Sequence, residues 1–449
     1  MAKAERTKYL IIGNSAGGIG AAEAIRQVDE VGTMTIVSDE PYPAYSRPLI
    51  SEYLAEKRPL ERMLFRPSDF YEKHNIQAIL GRKAEQLNSD EHTIKLDDGR
   101  KIIWERLLLA TGGVPIVPGI EGIGLKGVFT FTKLDDAKAI DEFLNQHQAR
   151  KVRGVVIGGG LIGVSVTEAL RKREIDITIV EMRERLLNTI LDEETSALEA
   201  ETLRRGGVEI ITGHTVAKVS SYLDGEASGV TLDDGRSLPC EMVIVAIGVR
   251  PRTEFVSDTK IKVNRGIMVD RYMATSSPDV YACGDVAEAY DFVYGENRLT
   301  PIWPNAYIGG RVAGFNMAAI PTEYRGGTAM NSLKYFGLDV VSAGMVMPPD
   351  ASYEVIRAKY GQACKKVILK DGLIMGMVFS GDIEKSGIVY NLMKDRVKVG
   401  AFQQALVAED FGLVSLPEEI WRPHLEIPSA IADTSVISME QAEEVIAGE

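Results

Sequence analysis

The chain has 449 residues, 45% hydrophobic and 26% charged, and carries 51 Lys and Arg against 64 Asp and Glu for a formal net charge of −13. That length exceeds one ordinary core, so two or three domains are expected. The acidic balance argues against nonspecific nucleic-acid binding, and no apolar run approaches the length of a membrane span.

In chain order, residues 9–12 read as a buried parallel strand that runs into Gly13-Asn14-Ser15-Ala16-Gly17-Gly18 and then a helix. The next strand, 34–37, is followed by Ser38, Asp39 and Glu40. Strand, turn, helix, strand and acid form a dinucleotide-binding unit. Gly13 makes the tight turn, position 15 lets backbone approach a pyrophosphate, Gly18 lets helix pack on strand, and Asp39 holds a ribose hydroxyl. Ser15 replaces the usual middle glycine, but it is small enough to leave the approach open.

Lys57-Arg58-Pro59-Leu60-Glu61-Arg62-Met63-Leu64-Phe65-Arg66 is a basic cluster in an acidic chain. It is either a landing site for an acidic electron carrier or a solvated face. Residues 107–113 and 243–248 are buried strands ending on small residues, at Thr111-Gly112 and at Gly248, where the chain passes a nucleotide or switches between domains.

Between them the unit recurs. Strand 155–157 leads into Gly158-Gly159-Gly160-Leu161-Ile162-Gly163, and strand 177–180 ends at Glu181. A carboxylate there accepts hydrogen bonds from a free ribose diol and repels a 2′-phosphate, favouring NADH over NADPH. Arg183 and Arg185 could soften that preference. Two units in order imply two nucleotides.

Further on, 279–285 is a strand running into Gly284-Asp285. Residues 301–306 lead into a helix with Gly309, Gly310, Ala313 and Gly314 on one face. Residues 365–378 read as two strands joined by an Asp-Gly turn. From Ser438 a capping box opens a short acidic helix through Ile446, which either docks a partner subunit or packs on the surface.

Together these residues resemble the pyridine nucleotide-disulfide oxidoreductase superfamily over about residues 7–400. The resemblance implies an α/β fold of two Rossmann-like dinucleotide-binding domains, the NAD domain inserted in the FAD domain, plus an α+β C-terminal interface domain. The expected boundaries are 1–117 and 249–325 for FAD, 118–248 for NAD(P)H, and 326–449 for the interface domain and tail. FAD is implied on the first turn and NADH on the second, with Gly248 beside it. Asp285 is implied to bind the ribityl chain, Gly284 and its neighbours to contact phosphate, and Thr111-Gly112 to match the family's crossover.

Disulfide reductases of this family carry Cys-x-x-x-x-Cys on the helix after the flavin strand, and relatives that reduce peroxide or oxygen keep one cysteine there. Residues 45–54 have none, and Pro48 falls about where the single thiol would be. The family's C-terminal histidine-glutamate base is also missing: the only histidine after residue 320 is His424, with no proline following. Thiol chemistry is therefore not expected. The three cysteines, Cys240, Cys283 and Cys364, are scattered, with neither disulfide nor metal spacing; they read as small hydrophobes, and no metal site is assigned. With no signal peptide, the expected location is a reducing cytoplasm.

The stretch Pro41-Tyr42-Pro43-Ala44-Tyr45-Ser46-Arg47-Pro48-Leu49 is similar to NADH-dependent reductases of ferredoxin, rubredoxin and related iron–sulfur carriers, and to the flavin module of assimilatory nitrite reductases. Those relatives place a lysine–glutamate pair beside the flavin N5; here Glu52 and Ser165 stand at the matching positions. Arg47 and Glu52 are the candidate catalytic residues. Glu52 is either partnered by Arg47 or solvated, and Arg47 either stabilises an anionic reduced flavin or forms a surface ion pair. Trp303 and Pro304 wall the other side of the flavin or fill an interdomain seam.

The implied function is hydride transfer from NADH to FAD and single-electron exchange with an iron–sulfur carrier or subunit. An NADH oxidase producing peroxide, and a nucleotide-responsive flavoprotein serving assembly or signalling, are the alternatives. A homodimer or membership of a larger complex as its flavin subunit are both open.

Overall fold

The computed structural model describes residues 5–149 and 151–425, so the expected helix from Ser438 lies outside the described residues. The first sheet grows from strand Glu5–Ile12, in which Leu10 and Ile11 are fully buried. A near-continuous apolar run suits a parallel strand covered on both faces. It pairs in parallel with Met34–Ser38 and Lys101–Leu109, and Ile76–Leu80 and Val280–Ala282 extend the sheet outward, also in parallel. An antiparallel pair, Ala84–Asn88 and Thr93–Leu96, branches from the start of Lys101–Leu109.

The second sheet repeats that plan. Arg153–Ile157 is central between Asp176–Glu181 and Met242–Val245, with Glu209–Thr212 and Val128–Thr130 at the edges, all parallel. The antiparallel strands Val216–Ser221, Ala227–Leu232 and Ser237–Leu238 form a small sheet of their own. Where the chain passes between the two large sheets, outgoing Gly113–Pro115 pairs antiparallel with returning Val249–Pro251.

Helix Ala16–Arg26 crosses helix Trp303–Met317 with the two backbones in contact. A Cβ at Gly310 would lie 2.0 Å from the Gly17 carbonyl oxygen, and one at Gly314 would lie 2.4 Å from that of Ala21. The small-residue face is thus what lets helix Trp303–Met317 lie against the helix after the first turn.

The C-terminal part is an antiparallel sheet in the order Met330–Tyr335, Leu338–Gly344, Leu373–Ser380, Ala363–Lys370, Glu354–Tyr360, with helix Ser386–Lys394 packed on it. Asp371 and Gly372 join two of its strands with φ of 51° and 76°. Both left-handed residues are what a two-residue hairpin of matching twist needs. This sheet is tied to the second nucleotide unit by buried Lys366, whose ammonium donates to Asp192 at 2.7 Å and to the Val346 carbonyl at 2.7 Å. Asp192 in turn caps helix Glu193–Arg205 by accepting from the Thr195 N–H. Among the described residues no helix is long and apolar enough to cross a membrane.

Candidate functional site

The two glycine turns are built on one plan. Gly13 and Gly158 have φ of +122° and +105°, and a Cβ on either would strike a carbonyl oxygen, Ala110 at 2.1 Å or Ala246 at 2.4 Å. Each turn glycine donates to the end of the following strand, Gly13 to the Val37 carbonyl and Gly158 to that of Val180, both at 2.8 Å. A Cβ on Gly18 would lie 1.9 Å from the Gly13 oxygen, and one on Gly163 would lie 2.0 Å from the Gly158 oxygen. These two glycines sit beneath their turns and let helix pack on strand.

Ser15 and Gly160 are the N-caps of 11-residue helices, Ala16–Arg26 and Leu161–Arg171, and neither makes a side-chain cap. Their first-turn N–H groups have no intrahelical acceptor, and with the positive end of the helix dipole they suit an anion. A Cβ at Gly160 would meet nothing within 4 Å. Ser15 stands at the equivalent N-cap position of the first turn.

Both turns border one cleft of about 2810 Å³. From the first unit it is lined by Asp39, Arg47, Pro48, Glu52 and the Thr111-Gly112 crossing, and from the second by Leu161, Ile162, Glu181 and Gly248. Gly284, Asp285, Trp303 and Pro304 close it on another side, Trp303 standing edge-on to Phe65 with ring centroids 5.1 Å apart. The structure thus brings the sequence-derived candidates together, apart from Gly18 and Gly163 beneath their turns.

The charges around this cleft are paired differently from expectation. Glu52 accepts from the Arg58 Nε at 2.7 Å and is partnered neither by Arg47 nor by solvent alone. Arg47 instead holds buried Glu40, and donates to the Thr132 carbonyl at 3.1 Å. Glu40 also accepts from the Tyr45 hydroxyl at 2.6 Å, and that hydroxyl receives the Leu134 N–H at 3.0 Å. Burial pushes the Tyr45 phenol well above its ordinary value, so it stays a donor. Burial opposes the Arg47 charge, but Tyr45, Glu40 and Asp39 outweigh it and raise its pKa. Asp39 is bound by Arg252 at 2.7 Å; burial opposes its ionisation, yet Arg252 prevails and lowers its pKa. Burial raises the pKa of Asp285, and the Arg47 charge pulls the other way.

The basic run 57–66 is not one free cationic face. Arg58 is taken by Glu52, while Arg66 binds Glu23 and lies over the Phe65 ring at 4.1 Å. Lys57 and Arg62 remain exposed. Cys283 is buried, and a Cβ on Gly17 would come within 2.7 Å of its sulfur. Burial pushes the thiols of Cys283 and Cys240 up to about 12, as expected of packing residues. Cys364 is only half-buried.

Besides Ser165, which the sequence singles out with Glu52, residues that motif reading missed stand at the back of the cleft. Ser165 and Glu168 line it from helix Leu161–Arg171, Lys172 from the end of that helix, and Tyr335 from strand Met330–Tyr335. Glu199 lies deeper, on helix Glu193–Arg205, with no exposed surface and, among the described residues, no hydrogen bond to either oxygen. Burial, and secondarily Glu168, push it up to about 7. The only sequence hint is spacing: Thr195 and Leu203, four residues either side of Glu199, are buried on the same helix face.

Residues 7–310 match the family model described as pyridine nucleotide-disulphide oxidoreductase. The chain belongs to that family. Residues 330–397 match the rubredoxin NAD+ reductase C-terminal domain. The fold is accordingly two Rossmann-like units plus a C-terminal domain, and the family's cofactors are FAD and NAD(P)H. The residues present fit that pair, since each turn offers a cradle that a Cβ would fill.

The chain is 30% identical over 423 residues to the NADH-dependent phenylglyoxylate dehydrogenase subunit epsilon of Aromatoleum evansii, covering 93% of this chain and 99% of that one. It is 30% identical to the NADH-rubredoxin oxidoreductase of Clostridium acetobutylicum, covering 84% and 92%. Its structure matches that of the covalent putidaredoxin reductase–putidaredoxin complex with a TM-score of 0.83 at 25% identity, covering 94% of this chain and 100% of that one. Two longer relatives from Bacillus subtilis, an assimilatory nitrate reductase electron transfer subunit and a nitrite reductase, are spanned over 52% and 48% of their lengths.

Proposed function

We propose that this chain is an FAD-dependent, NADH-linked oxidoreductase that exchanges single electrons with an iron–sulfur carrier or an iron–sulfur subunit. The observation that carries this reading is a single cleft bordered by both glycine turns, with no cysteine in the segment around Arg47 and Pro48. Bound FAD would supply the step between two-electron hydride chemistry and one-electron transfer. The protein's part is alignment and electrostatics. The helix that starts after Ser15 would hold the first pyrophosphate and the one that starts after Gly160 the second, while Arg47, fixed by Glu40, puts a positive charge within electrostatic reach of Asp285.

NADH is favoured over NADPH on the geometry of Glu181. Its buried carboxylate accepts from the Gly159 N–H at 2.6 Å and from the Arg183 N–H at 2.7 Å. A 2′-phosphate brought against it would meet a fixed negative charge. The relative named NADH-rubredoxin oxidoreductase and the putidaredoxin reductase–putidaredoxin complex support a small redox-protein carrier of the rubredoxin kind. We assign 1–117 with 249–325 to FAD, 118–248 to NADH and 326–449 to interface contacts, in a cytoplasmic dimer or as the flavin subunit of a complex.

The test is anaerobic. The yellow protein is reduced with NADH, oxidised ferredoxin or rubredoxin is added, and flavin and carrier absorbance are followed together. Fast reoxidation by the carrier is expected. Indifference to the carrier with fast recovery in air would move the assignment to an oxidase, and failure of NADH to bleach the flavin would overturn the reading altogether.

A further inference from the structure

One layer behind the cleft wall, a carboxyl group is sealed in without a partner. Glu199 has zero exposure, and among the described residues neither of its oxygens has a hydrogen-bond partner. Burying a carboxylate in this way is costly unless it holds a proton or gains a counter-charge. The residues packed in front of it supply no free cation. From helix Leu161–Arg171 it is faced by Glu168, whose two oxygens are already used, one by the Phe336 N–H at 3.0 Å and one by Lys172 at 2.7 Å. From strand Met330–Tyr335 it is faced by Tyr335, whose hydroxyl meets Ser165. On its own helix the residues three and four positions away are Thr195, Ser196, Thr202 and Leu203, none of them charged.

Ser165, Glu168, Lys172 and Tyr335 all border the cleft. Glu199 is therefore shielded from solvent but electrically close to whatever charge the cleft holds, because low-dielectric surroundings transmit a charge change well. We propose that Glu199 is a redox-linked proton site, which takes up a proton when negative charge arrives in the cleft and gives it back when that charge leaves. The inference rests on the proposed function, which puts the charge there.

The balance is simple. Hydride transfer from NADH delivers one hydrogen and two electrons to the cleft and leaves NAD+, so the acceptor side gains one negative charge. The Glu199 carboxylate then forms an O–H bond with one proton drawn from solvent, and no other bond of the residue changes. As the two electrons leave singly for the carrier, the hydrogen that came with the hydride leaves as a proton, the Glu199 O–H bond ionises, and both protons return to solvent. A carboxyl whose pKa burial has pushed to about 7 is poised for this exchange near neutrality. The Tyr335 phenol, pushed by burial to about 12, stays protonated throughout.

The experiment measures protons rather than turnover. The midpoint potential of the FAD-loaded protein is followed against pH, between about 5 and 9, for the wild type and for Glu199→Gln, and its slope gives the protons bound per electron pair by linkage. The wild type should bind up to about one proton more than the variant around neutrality, with the two curves running parallel at the extremes. Coincident curves would overturn the proposal, since a merely structural role would alter stability without touching proton stoichiometry. If Glu199→Gln does not fold, the reduced-minus-oxidised infrared spectrum of the wild type decides: a protonated-carboxyl band must grow on reduction, and its absence sinks the idea. Failure to bind FAD, or to be reduced by NADH, would remove the proposed function and this inference together. Reduction by NADH with coincident curves would remove the inference alone.

Discussion

Replacing Glu199 by Gln should stabilise the protein, and only above acid pH. A carboxyl whose folded pKa is raised binds its proton more tightly in the folded state than in the unfolded one, so ionisation favours unfolding. Below its ordinary 4.5 the group is protonated in both states and has no effect. From there up to about 7 the unfolded chain ionises while the folded one does not, and folding loses free energy steadily. Above about 7 the loss is complete. At about 1.36 kcal/mol for each pH unit, the rise comes to about 3 kcal/mol. Gln is nearly the same size and carries no charge, so the variant lacks that loss. If the chain unfolds as one unit, its size makes each kcal/mol worth about 1 °C, giving a gain of about 3 °C at pH 8.5. At pH 4.5 little difference is expected. Thermal unfolding of both proteins at matched FAD occupancy, across that range, is the assay. A Tm difference that does not grow with pH would refute the reasoning, and a variant destabilised at high pH but not at pH 4.5 would mean that Glu199 has a cationic partner.

The glycines beneath the turns separate the two cofactors. Gly18→Ala should strip FAD, read as lost absorbance near 450 nm, whereas Gly163→Ala should keep the flavin but raise the KM for NADH at least about fivefold, because overpacking against backbone costs about 1–3 kcal/mol. Glu181→Ala should raise the ratio of kcat/KM for NADPH over NADH by about tenfold, the equivalent of losing roughly 1.4 kcal/mol of discrimination; an unchanged ratio would place the 2′ position elsewhere. Reversing charge at exposed Arg62, Arg62→Glu, should raise the KM for the carrier and weaken its salt dependence, with the rate of flavin reduction by NADH unchanged. Carrier kinetics that stay put would rule that surface out.

What could be read from the chain and what could not divide along a physical line. Gly13 and Gly158, Gly18 and Gly163 are legible because a carbonyl oxygen lies about 2 Å from where their Cβ would be, so no other residue type fits. The Asp371-Gly372 hairpin is legible for a similar reason, two consecutive positive φ angles. Charge pairing obeys no such restriction. Arg47 has acids on both sides in sequence, Glu40 seven residues before and Glu52 five after, and nothing in their spacing says which it binds. The choice is made by the bend at Arg47–Leu49 and the short helix Ile50–Leu54, which bring Glu52 to Arg58 and leave Arg47 to Glu40. Glu199 is harder still, because its environment is made by Glu168 from one helix and Tyr335 from the C-terminal sheet, which meet only when that sheet docks on the second nucleotide unit. Lys366 on Asp192 is part of that docking. The same packing that hides Glu199 from a reader of the sequence hides it from water, and that seclusion is what makes its proton answer to charge in the cleft.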